Sequence, residues 1–185
     1  MLICPVPSCG HSKRATGSEN FTCLQLDIQD PRIQSLQGVL DKFQTDQPQV
    51  ELRGWACERC PCRANPIKQN SIVATPRLLF LHFKRFRTEF HRGRDVEARQ
   101  SYVDTYIACE EFITLGSDRY RQIARIYFQG NSLHAGHYFA ICRHTHTHPS
   151  GNYWYYNDTT RRLERPGDDK HPNNRVYACF YERVS

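Results

Sequence analysis

The sequence predicts an α+β domain in which antiparallel β-strands predominate. Near its start, "SLQGVLDKFQ" has the apolar spacing of an amphipathic helix, and Ser35 is a suitable N-cap. The apolar face of this helix comprises Leu36, Val39, Leu40 and Phe43. After the helix, short runs of β-branched and aromatic residues alternate with polar, glycine- or proline-bearing connections. This order of elements favours one helix followed by a mainly antiparallel sheet.

Seven segments have the composition of strands. The first, "FTCLQLDI", alternates apolar and polar residues and predicts a half-buried strand. Next, "SIVAT" and "RLLFLHFKRF" predict two separate strands because Pro76 lies between them. The other four segments are "YRQIARIYFQ", "GHYFAICR", "NYWYYND" and "VYACFYER".

Length and composition indicate an ordinary globular chain. Its 185 residues fit one domain, and no apolar run approaches the roughly 18 residues of a membrane helix. The opening "MLICPVPSCGHSKR" lacks the apolar core of a signal peptide, so a cytoplasmic or nuclear protein is expected. The net charge of +6 allows an acidic partner such as nucleic acid, or simply a basic solvated surface. The second interpretation is favoured because Lys and Arg are interleaved with Asp and Glu.

The cysteines favour a metal site. There are nine, an odd number, and without a secretory signal a disulfide framework is not expected. Two close pairs, Cys4 with Cys9 and Cys57 with Cys60, could supply the four soft ligands of a structural zinc ion. The alternative is a set of free thiols, and the nearby Cys62 complicates the choice of ligands.

One histidine has a predicted partner. His137 begins a predicted strand, after small residues that let backbone or substrate approach closely. Asn157 and Asp158 follow 20 and 21 residues later, at the end of the next predicted strand. A hairpin brings the start of the first strand beside the end of the second, so His137 and Asn157 are expected neighbours. This suits a histidine base whose second ring nitrogen is held by an amide or carboxylate; the alternative is a structural histidine.

The other histidines carry weaker signals. Along the chain, His144, His146 and His148 alternate with threonine and would share one face of an extended segment, where they could capture a metal. The following Pro-Ser-Gly instead favours a solvated hairpin loop. No partner can be assigned to His134, and His82 is expected in the core or a groove.

Taken together, these segments resemble the ubiquitin-specific protease family. The elements "CxxxxC…CERC", "PRLLFLHFKRF", "AGHYFAICR", "YWYYND" and "YACFYE" occur in that family's order over nearly the whole chain. The resemblance implies a papain-like cysteine protease domain, here partial. Its zinc-ribbon fingers would occupy about residues 1–70 and its palm about residues 71–185.

The resemblance also implies roles and a reaction. His137 would be the general base, Asn157 its orienting partner, and Asp158 an auxiliary polar residue near the oxyanion. The implied reaction is hydrolysis after the C-terminal glycine of ubiquitin, by thiolate attack, an acyl-enzyme and release by water. Ubiquitin or ubiquitinated proteins are therefore the implied partners.

The nucleophile of that family is missing. Its Gly-Asn-Thr-Cys motif does not occur in the sequence, and the thumb segment that carries it is absent. Strand alternation places Cys142 on the opposite face from His137, about 17 Å away. Apolar surroundings predict packing thiols at Cys109 and Cys179, and Cys23 lies in the strand leading into the fingers. We therefore expect the chain alone to be inactive, with an apolar palm surface exposed to partners or aggregation.

Three hypotheses remain open. The chain is the C-terminal portion of a cysteine-type deubiquitinase, with the thumb supplied by another chain or an upstream exon. Alternatively, it is a catalytically dead pseudoenzyme or scaffold that binds ubiquitin. The third hypothesis, a zinc-ribbon module binding nucleic acid, is the least favoured because the aromatic residues lie in predicted strands and not among clustered basic residues.

Overall fold

The computed structural model describes residues 1–13, 20–46, 52, 54–69, 71–92, 96–132, 135–143, 152–165 and 171–184. These residues form one α-helix, thirteen β-strands and one short 3-10 helix. No helix among them is long and apolar enough to cross a membrane. In chain order the elements are β1 Leu2–Ile3, β2 Ser12–Lys13, β3 Leu24–Leu26, α1 Leu36–Thr45, β4 Ile67–Lys68, β5 Leu78–Phe83, β6 Phe86–Arg92, β7 Val96–Tyr102, β8 Phe112–Leu115, β9 Asp118–Ser132, β10 Ala135–Arg143, β11 Tyr153–Asn157, β12 Thr160–Glu164, the 3-10 helix Asn173–Arg175 and β13 Val176–Val184.

The chain divides into two units. The first consists of Met1–Phe21 and Leu40–Ala74, and it contains a small antiparallel sheet of order β2-β1-β4. The second consists of Thr22–Val39 and Thr75–Ser185. It contains an eight-stranded sheet of order β12-β11-β10-β9-β13-β5-β3, in which β8 also pairs with β9, and a separate β6-β7 hairpin. The assignment of fingers and palm to either side of about residue 70 stays a prediction.

The predicted helix is present. Its first turn is capped by Ser35, whose Oγ accepts a hydrogen bond from the backbone N–H of Gly38 at 3.0 Å. The predicted apolar face is buried at Leu36, Val39 and Leu40. Burial of this stripe, more than the intrinsic propensity of ten residues, accounts for a helix of this length.

Strand β9 is at the centre of the large sheet, where it pairs with β8, β10 and β13, and β5 lies between β13 and the edge strand β3. Every second residue of β5 is fully buried, namely Leu79, Leu81 and Phe83. Strand β5 pairs antiparallel with β13 and parallel with β3, and the parallel pair is the exception in this sheet. The remaining pairs are antiparallel, as the sequence predicts.

Some predictions about strands are wrong. The segment "SIVAT" forms no strand: residues 71–76 are irregular and Val73 is 82% exposed. Its β-formers have no neighbouring strand among the described residues, and composition alone does not provide one. The long segment "RLLFLHFKRF" is divided into β5 and β6. The strands β7 and β12 were not predicted because their sequences are mostly polar. Strand β8 was also not predicted, although three of its four residues are apolar.

Arg85 lies at the break between β5 and β6 and is completely buried. Its guanidinium donates to the carbonyl oxygens of Val176 at 2.9 Å, Val103 at 3.1 Å and Asn173 at 3.0 Å, and also to that of Thr105. One side chain therefore joins the end of β5, the segment after β7 and the start of β13. The hydrogen bonds offset the cost of burying its charge.

Candidate active site and metal centre

A β-bulge precedes His137. Strand β10 pairs antiparallel with β9, and the register shifts between Ala135 and His137, where Gly130 and Asn131 of β9 lie opposite the single residue Gly136. A Cβ at Gly136 would lie 2.1 Å from two ring carbons of Phe128. Only glycine therefore fits beneath this ring. The sequence predicted that another group approaches the backbone closely before His137, and in the structure that group is the Phe128 ring.

His137 contacts Asn157. The ring nitrogen Nε2 of His137 lies 2.5 Å from Oδ1 of Asn157, the last residue of β11. The other end of the same amide, Nδ2, donates to the hydroxyl of Tyr155 at 2.7 Å. The hairpin thus brings together the two residues that the sequence predicts to be neighbours.

Asp158 lies farther from the histidine. Its Oδ2 is 3.8 Å from Nε2 of His137, beyond normal hydrogen-bonding distance. The residue occupies the turn between β11 and β12 with a φ of 48°, a left-handed conformation that aspartate tolerates better than most residues. Its side chain is 76% exposed, so its charge acts on the imidazole through partly screened electrostatics.

An aromatic layer lies beneath this pair. Tyr155 is 8% exposed, and the layer also includes Tyr127, Phe139 and His171. The His171 ring contacts all three of the others, with centroid distances between 4.8 and 5.4 Å. The imidazole of His137 itself remains 41% exposed, so another group can reach it.

The opposite face of the sheet carries partly exposed aromatic and aliphatic residues. Tyr138 is 47% exposed, Leu163 45% and Tyr156 40%. Strand alternation places them away from the His137 face.

The remaining histidines do not join this site. His82 packs edge-on against Tyr177, with ring centroids 4.5 Å apart. Burial and the charge of Lys84 lower its pKa. His134 and the alternating His144, His146 and His148 lie outside the described residues.

No cysteine is placed as a nucleophile for His137. All nine cysteines are among the described residues, yet the hydrogen-bond and ion-pair partners of His137 are Asn157 and Asp158. Strand alternation puts Cys142 on the opposite face of β10, and burial raises the pKa of its thiol. Burial also raises the pKa of Cys23. Each of these thiols is therefore protonated at neutral pH, unlike an activated nucleophile.

Cys109 and Cys179 pack against each other, with sulfur atoms 3.6 Å apart. Cys179 is fully buried, and burial holds its pKa well above the ordinary value. The prediction that these two are packing thiols agrees with this environment.

Four cysteine sulfurs of the first unit form a cluster. The Sγ atoms all lie within 4.8 Å of one another, and two of the separations, Cys4 to Cys60 and Cys9 to Cys57, are 3.7 Å. A tetrahedral ion with Zn–S bonds of about 2.3 Å places its sulfurs about 3.8 Å apart. Cys62 is not part of the cluster. The donor set and its spacing therefore fit a divalent metal such as zinc.

The environment of Cys57 favours a thiolate. Burial acts to raise its pKa, but the backbone N–H groups of Arg59 and Cys60, together with hydrogen bonds from the thiols of Cys60 and Cys4, lower that pKa to about 6. The pKa of Cys4 is raised to about 12, mainly by burial, and that of Cys60 is also raised, so the cluster stabilises one thiolate at Cys57. The N–H of Arg59 lies 3.4 Å from the sulfur. A deprotonated thiol is the form that binds metal.

A histidine held by an asparagine is the arrangement of papain-like cysteine peptidases. The family model "Ubiquitin carboxyl-terminal hydrolase" matches residues 10–181. The chain therefore belongs to the ubiquitin carboxyl-terminal hydrolase family, and the resemblance identified in the sequence is confirmed.

Curated relatives agree with this assignment. The chain is 28% identical over 139 residues to ubiquitin carboxyl-terminal hydrolase 10 of Saccharomyces cerevisiae, a match that covers 73% of this chain and 16% of the relative. It is 29% identical over 171 residues to ubiquitin carboxyl-terminal hydrolase 23 of Arabidopsis thaliana, covering 88% of this chain and 18% of the relative. The chain thus spans less than one fifth of the length of these two relatives.

Solved structures share the fold. The SAGA DUB module of Ubp8, Sgf11, Sus1 and Sgf73 bound to monoubiquitin matches with a TM-score of 0.79 and 23% identity, over 100% of this chain and 39% of that chain. The module bound to ubiquitin aldehyde gives a TM-score of 0.77 and 22% identity, over 100% of this chain and 40% of that chain. At these identities the similarity establishes the fold, and the predicted fold class is confirmed.

Two residues near His137 were not identified from the sequence. Tyr155 reads as a packing aromatic in "YWYYND", although its position two residues before Asn157 places both on one face of a strand. His171 lies in an irregular segment, and no sequence pattern indicates that its ring returns to the sheet.

Proposed function

We propose that this chain carries the histidine–asparagine part of a cysteine-type deubiquitinase. The observation that supports it best is the contact between His137 Nε2 and Asn157 Oδ1. An amide oxygen only accepts hydrogen bonds, so Nε2 carries the proton and Nδ1 keeps the lone pair. His137 can then act as a general base through Nδ1.

The proposed reaction uses that lone pair. Nδ1 takes the proton of a cysteine thiol, and the thiolate attacks the carbonyl carbon of the C-terminal glycine of ubiquitin. The protonated imidazole returns the proton to the departing amine as the C–N bond breaks. Water, deprotonated by the same nitrogen, then hydrolyses the thioester and releases the carboxylate and the thiol.

Asn157 and Asp158 have different parts in this proposal. Asn157 holds the ring through a direct hydrogen bond to Nε2. Asp158 lies 3.8 Å from Nε2, and its exposure leaves it free to contact a bound substrate. We expect removal of Asn157 to cost more activity than removal of Asp158, because an exposed charge contributes less than a positioned hydrogen bond.

The nucleophile is proposed to come from a segment other than those in this chain, either encoded in the same transcript or supplied by another chain. None of the nine cysteines is among the hydrogen-bond partners given for His137. We therefore expect the chain alone to show no hydrolysis of a fluorogenic ubiquitin substrate and no labelling by an electrophilic ubiquitin probe. Labelling at any of its own cysteines would contradict this assignment.

A longer transcript provides the positive test. If it encodes a Gly-Asn-Thr-Cys segment, its product should hydrolyse the fluorogenic substrate, and His137→Ala should abolish hydrolysis while ubiquitin binding is retained. A longer product that remains fully active with His137→Ala would refute the proposed base.

A second candidate is a ubiquitin-binding pseudoenzyme, favoured by the same lack of a cysteine at His137. The two candidates differ in turnover and not in binding. A transcript that starts at Met1, together with measurable ubiquitin affinity and no turnover, would support the pseudoenzyme. The SAGA DUB module structures contain monoubiquitin or ubiquitin aldehyde, which makes ubiquitin the proposed partner in both cases.

The cysteine cluster is proposed to bind zinc through Cys4, Cys9, Cys57 and Cys60. A bound zinc ion would cross-link two distant parts of the first unit and stabilise its fold. Elemental analysis of the purified protein should give about one zinc per chain. A zinc-free sample that unfolds cooperatively and at the same temperature with or without a chelator would refute a structural role.

A further inference from the structure

The contact between Cys109 and Cys179 is held in place on both sides of Cys109. On one side, Ala108 exchanges two backbone hydrogen bonds, of 2.7 and 2.8 Å, with the residues around the start of α1. On the other side, the carbonyl oxygen of Glu110 accepts a hydrogen bond from the hydroxyl of Tyr181 at 2.7 Å. Tyr181 lies two residues beyond Cys179 and therefore on the same face of β13. These hydrogen bonds hold the backbone of Cys109 over Cys179.

The two thiols differ in their access to solvent. Cys109 is half-buried, whereas Cys179 is completely buried. Burial keeps the pKa of Cys179 well above its ordinary value, and its thiol donates a hydrogen bond to the sulfur of Cys109. A small oxidant that arrives from solvent therefore meets Cys109 first, with a protonated thiol directly behind it.

Two guanidinium groups lie beside this pair. The charges of Arg85 and Arg125 both act on Cys179, and the charge of Arg85 also acts on Cys109. A cation near a thiol stabilises the thiolate, which is the form that reacts with peroxide. The surroundings of the pair are therefore suited to oxidation at the more accessible sulfur.

The sulfur atoms are close enough to bond after a small movement. They lie 3.6 Å apart, and a disulfide bond is about 2.05 Å long. The remaining difference of about 1.5 Å is shared between two side chains, each of which can rotate about its Cα–Cβ bond.

We propose that Cys109 and Cys179 are a site of reversible oxidation, at which hydrogen peroxide converts two packed thiols into a disulfide. The Cys109 thiolate attacks peroxide, whose O–O bond breaks to leave a sulfenic acid and hydroxide. The Cys179 sulfur then attacks the sulfur of Cys109, the S–O bond breaks, and the hydroxyl leaves as water with the thiol proton. In total, two thiols and one peroxide give one disulfide and two waters. The proposal is independent of the function proposed for His137.

Peptide mapping of the full chain tests this proposal. Trypsin leaves Cys109 on residues 100–119 and Cys179 on residues 176–183, and each of these peptides contains one cysteine. The chain is treated with hydrogen peroxide at neutral pH, the remaining thiols are alkylated in denaturant, and the unreduced digest is analysed by mass spectrometry. We expect the two peptides to be joined, at two hydrogen masses below their sum, in a product that a thiol reductant abolishes.

Two variants separate the steps of the reaction. In Cys179→Ala, oxidation of Cys109 should stop at the sulfenic acid, which dimedone labels. In Cys109→Ala, Cys179 should stay reduced because it is buried. Cys142 is the control, since it is also half-buried and lies alone on its own tryptic peptide, residues 126–143.

The map of the unaltered chain decides the proposal even if a variant fails to fold. The peptide that joins Cys109 to Cys179 should greatly exceed any that joins Cys109 to Cys142. Equal amounts of the two joined peptides, or no joined peptide at a peroxide dose that oxidises Cys142, would overturn the proposal.

Discussion

Replacing Gly136 with alanine should disrupt the strand that carries His137. A Cβ at this position would lie 2.1 Å from Cε2 and Cζ of Phe128, whereas carbon atoms in contact are normally about 3.5–4.0 Å apart. The ring has little room to withdraw: Phe128 is 2% exposed, and its centroid lies 4.9 Å from that of Tyr138 and 5.4 Å from that of Phe86. Either the ring or the bulge must therefore move by more than about 1 Å.

The magnitude follows from this overlap. Overpacking a core costs about 1–3 kcal/mol and sometimes more, so we expect Gly136→Ala to lower the free energy of unfolding by about 3 kcal/mol. Phe128→Leu removes both clashing ring carbons and should cost about 1–2 kcal/mol alone. The double variant should then be more stable than the sum of the two losses implies, by about 1–2 kcal/mol.

Urea unfolding of the four proteins measures this coupling. Gly116→Ala is the control, because Gly116 has a positive φ of 62° and no atom within 4 Å of an added Cβ. It should cost about 1–2 kcal/mol through its backbone alone and should show no coupling with Phe128→Leu. If Gly136→Ala and Phe128→Leu are also additive, the proposed steric origin of the glycine is refuted.

Three other substitutions test separate parts of the structure. If the proposed zinc is bound, Cys57→Ser should abolish its binding and make the protein insensitive to chelator, as measured by elemental analysis and thermal unfolding. Arg85→Met leaves buried carbonyl oxygens without donors and should lower the free energy of unfolding by about 3–5 kcal/mol. Arg85→Lys should have an intermediate effect, because lysine provides only three donors. The pKa of His82 is lower in the folded chain than in the unfolded chain, so below about pH 6.5 the unfolded chain binds more protons and the free energy of unfolding should fall. His82→Phe removes this group and should reduce the difference in the free energy of unfolding between pH 7 and pH 5, measured by urea unfolding.

Each of these three expectations has a contradicting result. Full zinc content in Cys57→Ser would exclude that sulfur as a ligand. A loss below about 1 kcal/mol for Arg85→Met would show that water replaces the guanidinium. An unchanged difference between pH 5 and pH 7 in His82→Phe would assign the acid sensitivity to other groups.

The sequence predicts the hairpin of His137 and Asn157 because it depends on strand alternation and chain order, both of which are local. The same alternation predicts that Cys142 lies on the opposite face of the strand from His137. Pairing partners are not local, and so the sequence predicted neither the parallel pairing of β3 with β5 nor that "SIVAT" pairs with no strand among the described residues.

A search for alternating apolar residues also fails to identify polar strands at the edge of a sheet. Strand β12 is exposed at four of its five positions and carries the sequence "TRRLE", which resembles a loop. Yet it provides Arg162, whose side chain covers Tyr155. The surroundings of Tyr155, which accepts a hydrogen bond from Asn157, therefore depend on a strand that composition alone does not reveal.

The buried polar contacts could not be predicted either. Arg85 lies in a basic pair, Lys84-Arg85, that the sequence would place on a surface, but the structure buries its guanidinium among four carbonyl oxygens. His171 follows a loop and carries no periodic signal, so only the three-dimensional fold shows that it stacks on Tyr155.

The proposed chemistry requires the tail of ubiquitin to reach His137, because a general base must lie within hydrogen-bonding reach of the reacting group. Titration of the ¹⁵N-labelled chain with ubiquitin, and in parallel with ubiquitin lacking its two C-terminal glycines, tests this most directly. We expect intact ubiquitin to shift the resonances of His137 and Asn157, and the truncated form to bind without shifting them. Equal shifts with both forms, or none with intact ubiquitin at millimolar concentration, would contradict the assignment of this site.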